Sequence, residues 1–215
     1  MRDPGASDSA RALQAVYRQL FRAYGPQHWW PGDTPLEIAV GAILTQNTAW
    51  ANVEKAMAVL RSRRLLSLEK LARLTPAELA PLIRSAGFYN IKAVRLAGFL
   101  QWLKALGGFP GLRRIPTRTL RPLLLACNGV GPETADSILL YALGRPVFVV
   151  DAYTRRILSR YGLTAGDEPY EDLRRWFESS LPRSRQLYNE YHALLVRLAK
   201  ANCRSRPLCG SCPLA

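Results

Sequence analysis

The stretch LLLACNGVGPETADSILLYALGRPVFVVDAY, residues 123–153, constrains the fold more than any other part of the chain. Apolar residues with helical spacing lie on both sides of Gly129-Val130-Gly131, so the segment predicts two short helices that meet at a tight glycine turn. The run PVFVV that follows is β-branched but short, and it leads to Asp151. We therefore expect an αα-hairpin, an extended connector, and a helix that begins at Asp151, a residue type favoured at N-caps.

Helical periodicity continues through the rest of the chain, and strand signals are almost absent. The segments 34–48 and 75–87 both begin Thr-Pro-x-Glu, which combines an N-cap, a first-turn proline and a capping-box carboxylate. The pattern predicts an all-α fold of about ten short helices.

The charge balance points to a polyanionic partner. The chain has 30 Lys and Arg against 16 acidic residues, a formal net charge of +14. A basic surface gains binding free energy on nucleic acid because neutralised phosphates release their counterions. No run of apolar residues is long enough to span a membrane, and the first residues lack the apolar core of a secretory signal. We expect a cytoplasmic, bacterial-type protein that associates with the nucleoid through DNA, as a monomer without an obligate protein partner.

The glycine turn and Asp151 each allow a structural and a functional interpretation. A glycine turn at a helix start exposes backbone N–H groups to an anion, and such a contact would grip DNA without reading its sequence. The structural alternative is an ordinary αα-corner that needs glycine for left-handed backbone. Asp151 is either only an N-cap or also a carboxylate that is held ionised and directed into a cleft.

Three segments together resemble the endonuclease III superfamily of DNA glycosylases: NGVGPETAD at 128–136, VVDAY at 149–153 and ILTQNT at 43–48. The resemblance extends from about residue 10 to Cys212. It implies a two-lobed helical bundle with a helix-hairpin-helix element at about 117–143, a Gly/Pro-rich loop and a catalytic aspartate, Asp151. In this fold we expect residues 35–145 to form a helical barrel lobe, and residues 1–34 and 146–215 to form the other lobe. It also implies that the hairpin contacts double-stranded DNA, with four residues carried over as contacts: Gly129, Val130, Gly131 and Thr134.

One departure from the family pattern decides the expected chemistry. In the bifunctional members, a lysine two residues after the second hairpin glycine attacks the sugar and forms a Schiff base. This chain has Glu133 at that position. A carboxylate cannot form an imine, so we expect a monofunctional enzyme in which water is the nucleophile, with little or no β-lyase activity.

The segment PQHWWPGD, residues 26–33, concentrates aromatic surface in one loop. An extruded base needs stacking faces, and a cationic base gains from electron-rich indoles. The stretch resembles the base-pocket segment of the bacterial 3-methyladenine glycosylases, which also carry glutamate in place of the lysine. The resemblance therefore places Trp29, Trp30, Pro31 and Glu133 at the base pocket. The alternative is a tryptophan pair that only packs a loop over the core.

Two further segments resemble DNA-facing loops of the superfamily. Gln46, followed by Asn47, resembles the glutamine that enters the gap left by a flipped nucleotide. The segment GFYNIKA, residues 87–93, offers Phe88, Tyr89 or Asn90 as the wedge on the opposing side. Extruding a base costs a few kcal/mol, so some residue is expected to fill the gap.

Three cysteines lie in CRSRPLCGSCPLA, at Cys203, Cys209 and Cys212. Clustered thiols in a cytoplasmic protein favour a metal over a disulfide. Many superfamily members hold a four-iron four-sulfur cluster in this region, but with one more residue in the first gap and a fourth cysteine. The loop 203–212 is therefore a candidate cluster site without an identified fourth ligand, and a cluster-free loop is the alternative. A zinc site that uses His192 has poor spacing.

The favoured interpretation is a monofunctional DNA glycosylase of base excision repair. It flips out a damaged base, expected to be an alkylated purine such as 3-methyladenine, and hydrolyses its N-glycosidic bond. Two alternatives stay open. One is a bifunctional glycosylase and AP-lyase acting on oxidised pyrimidines, with a lysine such as Lys92 as nucleophile. The other is a non-enzymatic, structure-specific DNA-binding module that uses the hairpin as a clamp.

Overall fold

A computed structural model describes residues 4–29 and 32–215 of the chain. These residues form twelve α-helices and no strand, which confirms the all-α prediction. The helices are α1 (Pro4–Tyr24), α2 (Pro35–Leu44), α3 (Trp50–Ser62), α4 (Leu68–Leu71), α5 (Pro76–Leu82), α6 (Tyr89–Ala105), α7 (Gly108–Arg114), α8 (Thr117–Leu125), α9 (Pro132–Ser137), α10 (Ala152–Arg160), α11 (Tyr170–Ser180) and α12 (Arg185–Ala201). A π-helical turn, Ile138–Ala142, continues α9. Within the described ranges, no helix has the length and apolar content needed to cross a bilayer.

Local sequence signals set several of the helix starts. Thr34 accepts a hydrogen bond from the Glu37 backbone N–H, and Pro35 occupies the first turn of α2. Thr75 and Glu78 form a full capping box at the start of α5. These contacts satisfy backbone N–H groups that have no partner within the helix.

Helix α7 was not predicted, because its sequence GFPGLRR contains residues that disfavour a helix interior. Phe109 and Leu112 are nevertheless buried in the core. Burial of the apolar face of α7 therefore stabilises this helix, although its residues have low intrinsic helix propensity.

The chain divides into two compact units. The first unit comprises the described residues of Met1–Trp29 and Pro146–Ala215. In it, α12 packs against α1 and α10, and α11 packs against α1. Its core contains an aromatic cluster in which the ring of Phe148 stacks on that of Phe177 at 3.8 Å, with Tyr188 and Tyr191 edge-on to Phe148. This core supports both the start of α10 and the middle of α12.

The second unit comprises the described residues of Trp30–Arg145. Helix α2 is almost completely buried and contacts α3, α6, α9 and the π-helical turn. Because α2 is central, the loop after it is held against the turn between α8 and α9. This arrangement brings together two segments that the sequence analysis identified separately.

Candidate active site

Asp151 is the N-cap residue of α10. Its Oδ1 atom accepts hydrogen bonds from the Thr154 backbone N–H at 2.7 Å and from the Thr154 hydroxyl at 2.8 Å. Its Oδ2 atom lies 3.4 Å from Nε2 of His192, on α12. One carboxylate oxygen therefore caps the helix, and the other faces a histidine.

The environment of Asp151 favours its ionised form. Burial opposes ionisation and acts to raise the pKa of the carboxyl. The neighbouring His192 and the hydrogen bonds from Thr154 outweigh this effect, so the pKa of Asp151 lies below its ordinary value. A helix N-terminus also favours negative charge. Asp151 is thus an ionised, mostly buried carboxylate near neutral pH, suited to stabilising positive charge or orienting water.

Trp29 neighbours the same histidine. The Trp29 and His192 rings have their centroids 5.7 Å apart and are tilted by 44°. The structure thus brings Trp29, His192 and Asp151 into a chain of contacts within the first unit. Trp30 and Pro31, the other two aromatic-loop residues predicted for the base pocket, lie outside the described residues.

His192 is the main residue of this site that sequence reasoning missed. The sequence suggested it as a zinc ligand with poor spacing, and not as a partner of Asp151. It comes from a different helix, and nothing in the local sequence around Asp151 points to it. Its side chain is 6% exposed. A buried histidine in an otherwise apolar helix face was the available signal.

The two helices of the hairpin are joined by a buried ion pair. Arg121 on α8 donates from Nε and Nη2 to the two carboxylate oxygens of Asp136 on α9, at 2.7 and 2.9 Å. Asp136 is completely buried, and Arg121 is 15% exposed. This bidentate contact fixes the angle between the helices and therefore the shape of the turn that joins them.

Gln46 is tied to that turn by a small hydrogen-bond network. Its Nε2 atom donates to the Gly129 carbonyl at 2.8 Å and to the Thr134 hydroxyl at 3.0 Å. Its Oε1 atom accepts a hydrogen bond from Nη1 of Arg95 at 2.9 Å. The side chain predicted to enter the DNA gap is therefore held against the hairpin in this state. The next residue, Asn47, is exposed and has a left-handed backbone with φ of 52°.

The residues of the turn have different environments. Gly129 has a positive φ of 81°, and a Cβ atom there would lie 2.3 Å from Cγ and Cδ of Arg95. Gly131 has an extended backbone, and a Cβ atom there would contact nothing within 4 Å. Val130 is buried, and its N–H donates to the Cys127 carbonyl. Thr134 is buried as well, so Gly131 is the open position of the predicted contact set.

Phe88 is the prominent feature of the second DNA-facing segment. It is 69% exposed and adopts a left-handed backbone with φ of 46° just before α6. Tyr89 lies beneath the Arg84 guanidinium, whose Cζ is 5.7 Å from the ring centroid, and Asn90 is exposed. A bulky residue with positive φ is uncommon and marks a backbone constrained by its surroundings. Of the three residues predicted as a wedge, Phe88 presents the largest exposed apolar surface.

Two residues concern the choice of nucleophile: Glu133 stands where the bifunctional enzymes have their lysine, and Lys92 is the alternative lysine. Glu133 lies in the first turn of α9 and is exposed. Lys92 is 1% exposed, and its ammonium donates to the carbonyls of Leu44 and Ala86 at 2.8 and 2.7 Å. Burial, followed by the nearby Arg95, lowers the pKa of Lys92. Lys92 thus joins the ends of two segments that lead into the Gln46 and Phe88 loops, and its nitrogen is shielded from solvent.

The three clustered cysteines line one cavity of about 150 Å³ in the first unit, together with Arg160 and Leu198. A four-iron four-sulfur cluster takes four thiolates. Among residues 4–29 and 32–215, no three His, Cys, Asp or Glu side chains converge as a metal-binding group. Cys203, Cys209 and Cys212 therefore share a cavity, and the four-iron four-sulfur cluster that the resemblance implied stays a prediction. Cys127, whose thiol pKa is raised by burial, lies in the other unit.

Comparison with known proteins places this geometry in a family. A Methanocaldococcus jannaschii protein, provisionally named as DNA repair glycosylase MJ1434, is 46% identical over 94% of this chain and 93% of its own length. The endonuclease III of Thermotoga maritima is 28% identical over 93% of this chain and 89% of its own length. The crystal structure of H. pylori 3-methyladenine DNA glycosylase (MagIII) bound to 1,N6-ethenoadenine is 30% identical, with a TM-score of 0.74. It covers 91% of this chain and 97% of that one.

Residues 40–183 match the family of HhH-GPD superfamily base excision DNA repair proteins. The chain, with its glycine hairpin and capped aspartate, belongs to the HhH-GPD superfamily of base excision DNA repair proteins.

Proposed function

We propose that this protein is a monofunctional DNA glycosylase that flips out an alkylated purine, of the 3-methyladenine type, and hydrolyses its N-glycosidic bond. The observation that carries the proposal is the ionised Asp151 carboxylate at the start of α10, combined with Glu133 where a lysine nucleophile would stand. Asp151 has the charge needed for hydrolysis, and position 133 lacks the amine needed for an imine.

Cleavage of a base–sugar bond creates positive charge on the sugar, in an oxocarbenium-like transition state. A fixed carboxylate near that carbon stabilises the developing charge, and it can orient or deprotonate the attacking water. The hydrogen bonds from Thr154 hold Asp151 in one orientation before the substrate arrives. This preorganisation suffices when the leaving group is already good, as it is for a base made cationic by alkylation.

The aromatic loop supports an alkylated purine as substrate. The ring centroid of Trp29 lies 5.7 Å from that of His192, which neighbours Asp151. A base stacked on the indole would therefore be close to the carboxylate. An electron-rich indole attracts a cationic ring more strongly than a neutral one. The H. pylori glycosylase that shares this fold binds 1,N6-ethenoadenine, a modified adenine. We propose that Trp29 supplies a stacking face for the corresponding base in this protein.

The DNA partner is supported by the net charge of +14 and by the exposed elements of the second unit. We propose that the backbone of the Gly129–Gly131 turn approaches a phosphate, and that Phe88 wedges into the duplex at the extruded nucleotide. Gln46 would reach the gap only after it leaves its hydrogen bonds to Gly129 and Thr134. The hairpin contact reads no bases, so the wedge and the pocket would supply the selectivity.

Two glycine variants separate stability from DNA binding. Gly129→Ala is expected to lower the free energy of unfolding by about 1–3 kcal/mol, because alanine is strained at this φ and its Cβ meets Arg95. Gly131→Ala is expected to stay within about 0.5 kcal/mol of the wild type, because its Cβ enters open space. It should instead weaken DNA binding, since the methyl group occupies the place of the phosphate. Urea unfolding and fluorescence anisotropy with a duplex measure the two effects. Wild-type affinity in Gly131→Ala would refute the hairpin contact.

The absence of lyase chemistry is tested by borohydride trapping. An imine between protein and abasic DNA is reduced to a stable covalent adduct, which denaturing electrophoresis detects. We expect no adduct from the wild-type protein, because Glu133 cannot form an imine and the Lys92 nitrogen is buried. An endonuclease III, for which a trapped covalent intermediate with DNA is known, provides the positive control. Strand breaks should appear only after alkali treatment. A borohydride adduct with this chain would instead support the bifunctional alternative.

A further inference from the structure

The Asp151 carboxylate is held from two sides by residues of different helices. Oδ1 accepts two hydrogen bonds from Thr154, within the same helix. Oδ2 faces Nε2 of His192 at 3.4 Å, from α12. The local contact alone leaves the carboxylate able to pivot about Oδ1, whereas the second contact restricts its plane. Helices α10 and α12 pack directly on each other, so the backbone positions of the two residues are coupled.

A hydrogen bond across this contact requires a hydrogen on the histidine. An ionised carboxylate can only accept a hydrogen bond, so a bond to Oδ2 needs Nε2 of His192 as the donor. The separation of 3.4 Å exceeds the ordinary range of about 2.7–3.2 Å for N–H···O bonds. Contacts of catalytic groups are often long in the free enzyme and shorten in the substrate complex. The 3.4 Å separation thus allows the bond to form when the carboxylate engages its substrate.

The imidazole of His192 also neighbours the aromatic loop. Trp29 lies 5.7 Å from His192, centroid to centroid, with the rings tilted by 44°. His192 is 6% exposed and Asp151 is 13% exposed, so the carboxylate contact is well shielded from water. Electrostatic contacts are stronger in such a site than at the surface. His192 therefore connects the residue proposed to stack on the base with the residue proposed to act at the sugar.

We propose that His192 is a positioning residue of the glycosylase reaction. It orients Oδ2 of Asp151 and holds the Trp29 ring at a fixed position relative to that carboxylate. This inference rests on the proposed function. His192 touches neither base nor sugar in this scheme; it acts through Asp151. Its removal should slow the chemical step and leave DNA binding unchanged, because the proposed DNA-contacting elements belong to the other unit.

The test compares two replacements of His192. His192→Phe keeps an aromatic ring against Trp29 but removes the donor. His192→Gln keeps an N–H donor at nearly the position of Nε2. We expect His192→Phe to lower the single-turnover rate of base release from methylated duplex DNA by roughly 10- to 100-fold, as with loss of other second-layer partners. We expect His192→Gln to recover most of that loss. The affinity for a duplex containing a tetrahydrofuran abasic-site analogue should be the same in all three proteins.

The outcomes distinguish this inference from the proposed function. If Asp151→Asn abolishes base release but His192→Phe does not slow it, the positioning role is wrong and the proposed function stands. If His192→Phe and His192→Gln lose activity equally, an N–H donor at this position does not restore the reaction, and the inference fails as well. If the wild-type protein releases no base, the proposed function itself fails. Should His192→Phe not fold, His192→Asn replaces it, because its shorter donor cannot reach Oδ2 as Gln does.

Discussion

Asp151→Asn is expected to lower the rate of base release from methylated duplex DNA by about 100- to 1,000-fold or more, the cost of removing one preorganised charge-stabilising group. The substitution removes the negative charge that would stabilise the oxocarbenium-like sugar, and it removes the acceptor for a proton from water. Asparagine caps a helix about as well as aspartate, so α10 should still begin at residue 151. The protein should therefore stay folded and keep its affinity for DNA.

The measurement is a single-turnover assay of free 3-methyladenine or 7-methylguanine released from methylated DNA. A matched control is Asp172→Asn, which removes another carboxylate from the same unit. Asp172 is half exposed and pairs with the exposed Arg175, so this variant should release base at the wild-type rate. If Asp151→Asn releases base as fast as the control, Asp151 is not the catalytic carboxylate. If the wild type and both variants bind DNA but release no base, the non-enzymatic binding module becomes the better interpretation.

The second large effect is expected at the ion pair inside the hairpin. Arg121→Met leaves the carboxylate of Asp136, which is completely buried, without its bidentate partner. Breaking such a pair by removing one member costs about 3–5 kcal/mol, because the remaining charge stays buried after its ion-pair partner is lost. We expect the free energy of unfolding, measured in urea, to fall by this amount. DNA binding should weaken at the same time, since the pair sets the angle between α8 and α9.

Two controls separate the buried charge from the loss of packing. The double variant Arg121→Met, Asp136→Leu removes both charges and should recover much of the lost stability, because apolar replacements of a buried pair are often tolerated. Arg175→Ala breaks an exposed pair with Asp172 and should change stability by less than about 1 kcal/mol. A loss in Arg121→Met no greater than that of Arg175→Ala would contradict the structural role of the hairpin pair.

Features encoded within a few residues were predictable from the sequence. The Thr-Pro-x-Glu starts of α2 and α5 appear with the expected caps, since the groups involved lie within one helical turn. The glycine turn and the N-cap position of Asp151 are also where the sequence predicted them. The exception is α7, where glycine and proline hid a helix that only burial of Phe109 and Leu112 could reveal.

Contacts between distant residues could not be predicted in this way. The sequence singled out Gln46 but not its partners Gly129, Thr134 and Arg95, because these are brought together only when α2, α6 and the hairpin pack. Lys92 was considered as a nucleophile, yet the fold buries it against two backbone carbonyls. The cysteine spacing suggested a metal site, but spacing along the chain does not specify how thiols converge in space.

Four features follow from the amino-acid sequence alone: the all-α fold, the hairpin with its glycines, the carboxylate at position 151 and the glutamate at position 133. Each of these depends on residue identity or on local backbone preference. Three others depend on how the helices pack: His192 faces Asp151, the pKa of this carboxyl is lowered despite burial, and Arg95 and Gln46 brace the hairpin turn. Charge state and orientation depend on groups from other helices, and helix packing, which no local pattern encodes, brings those groups within reach.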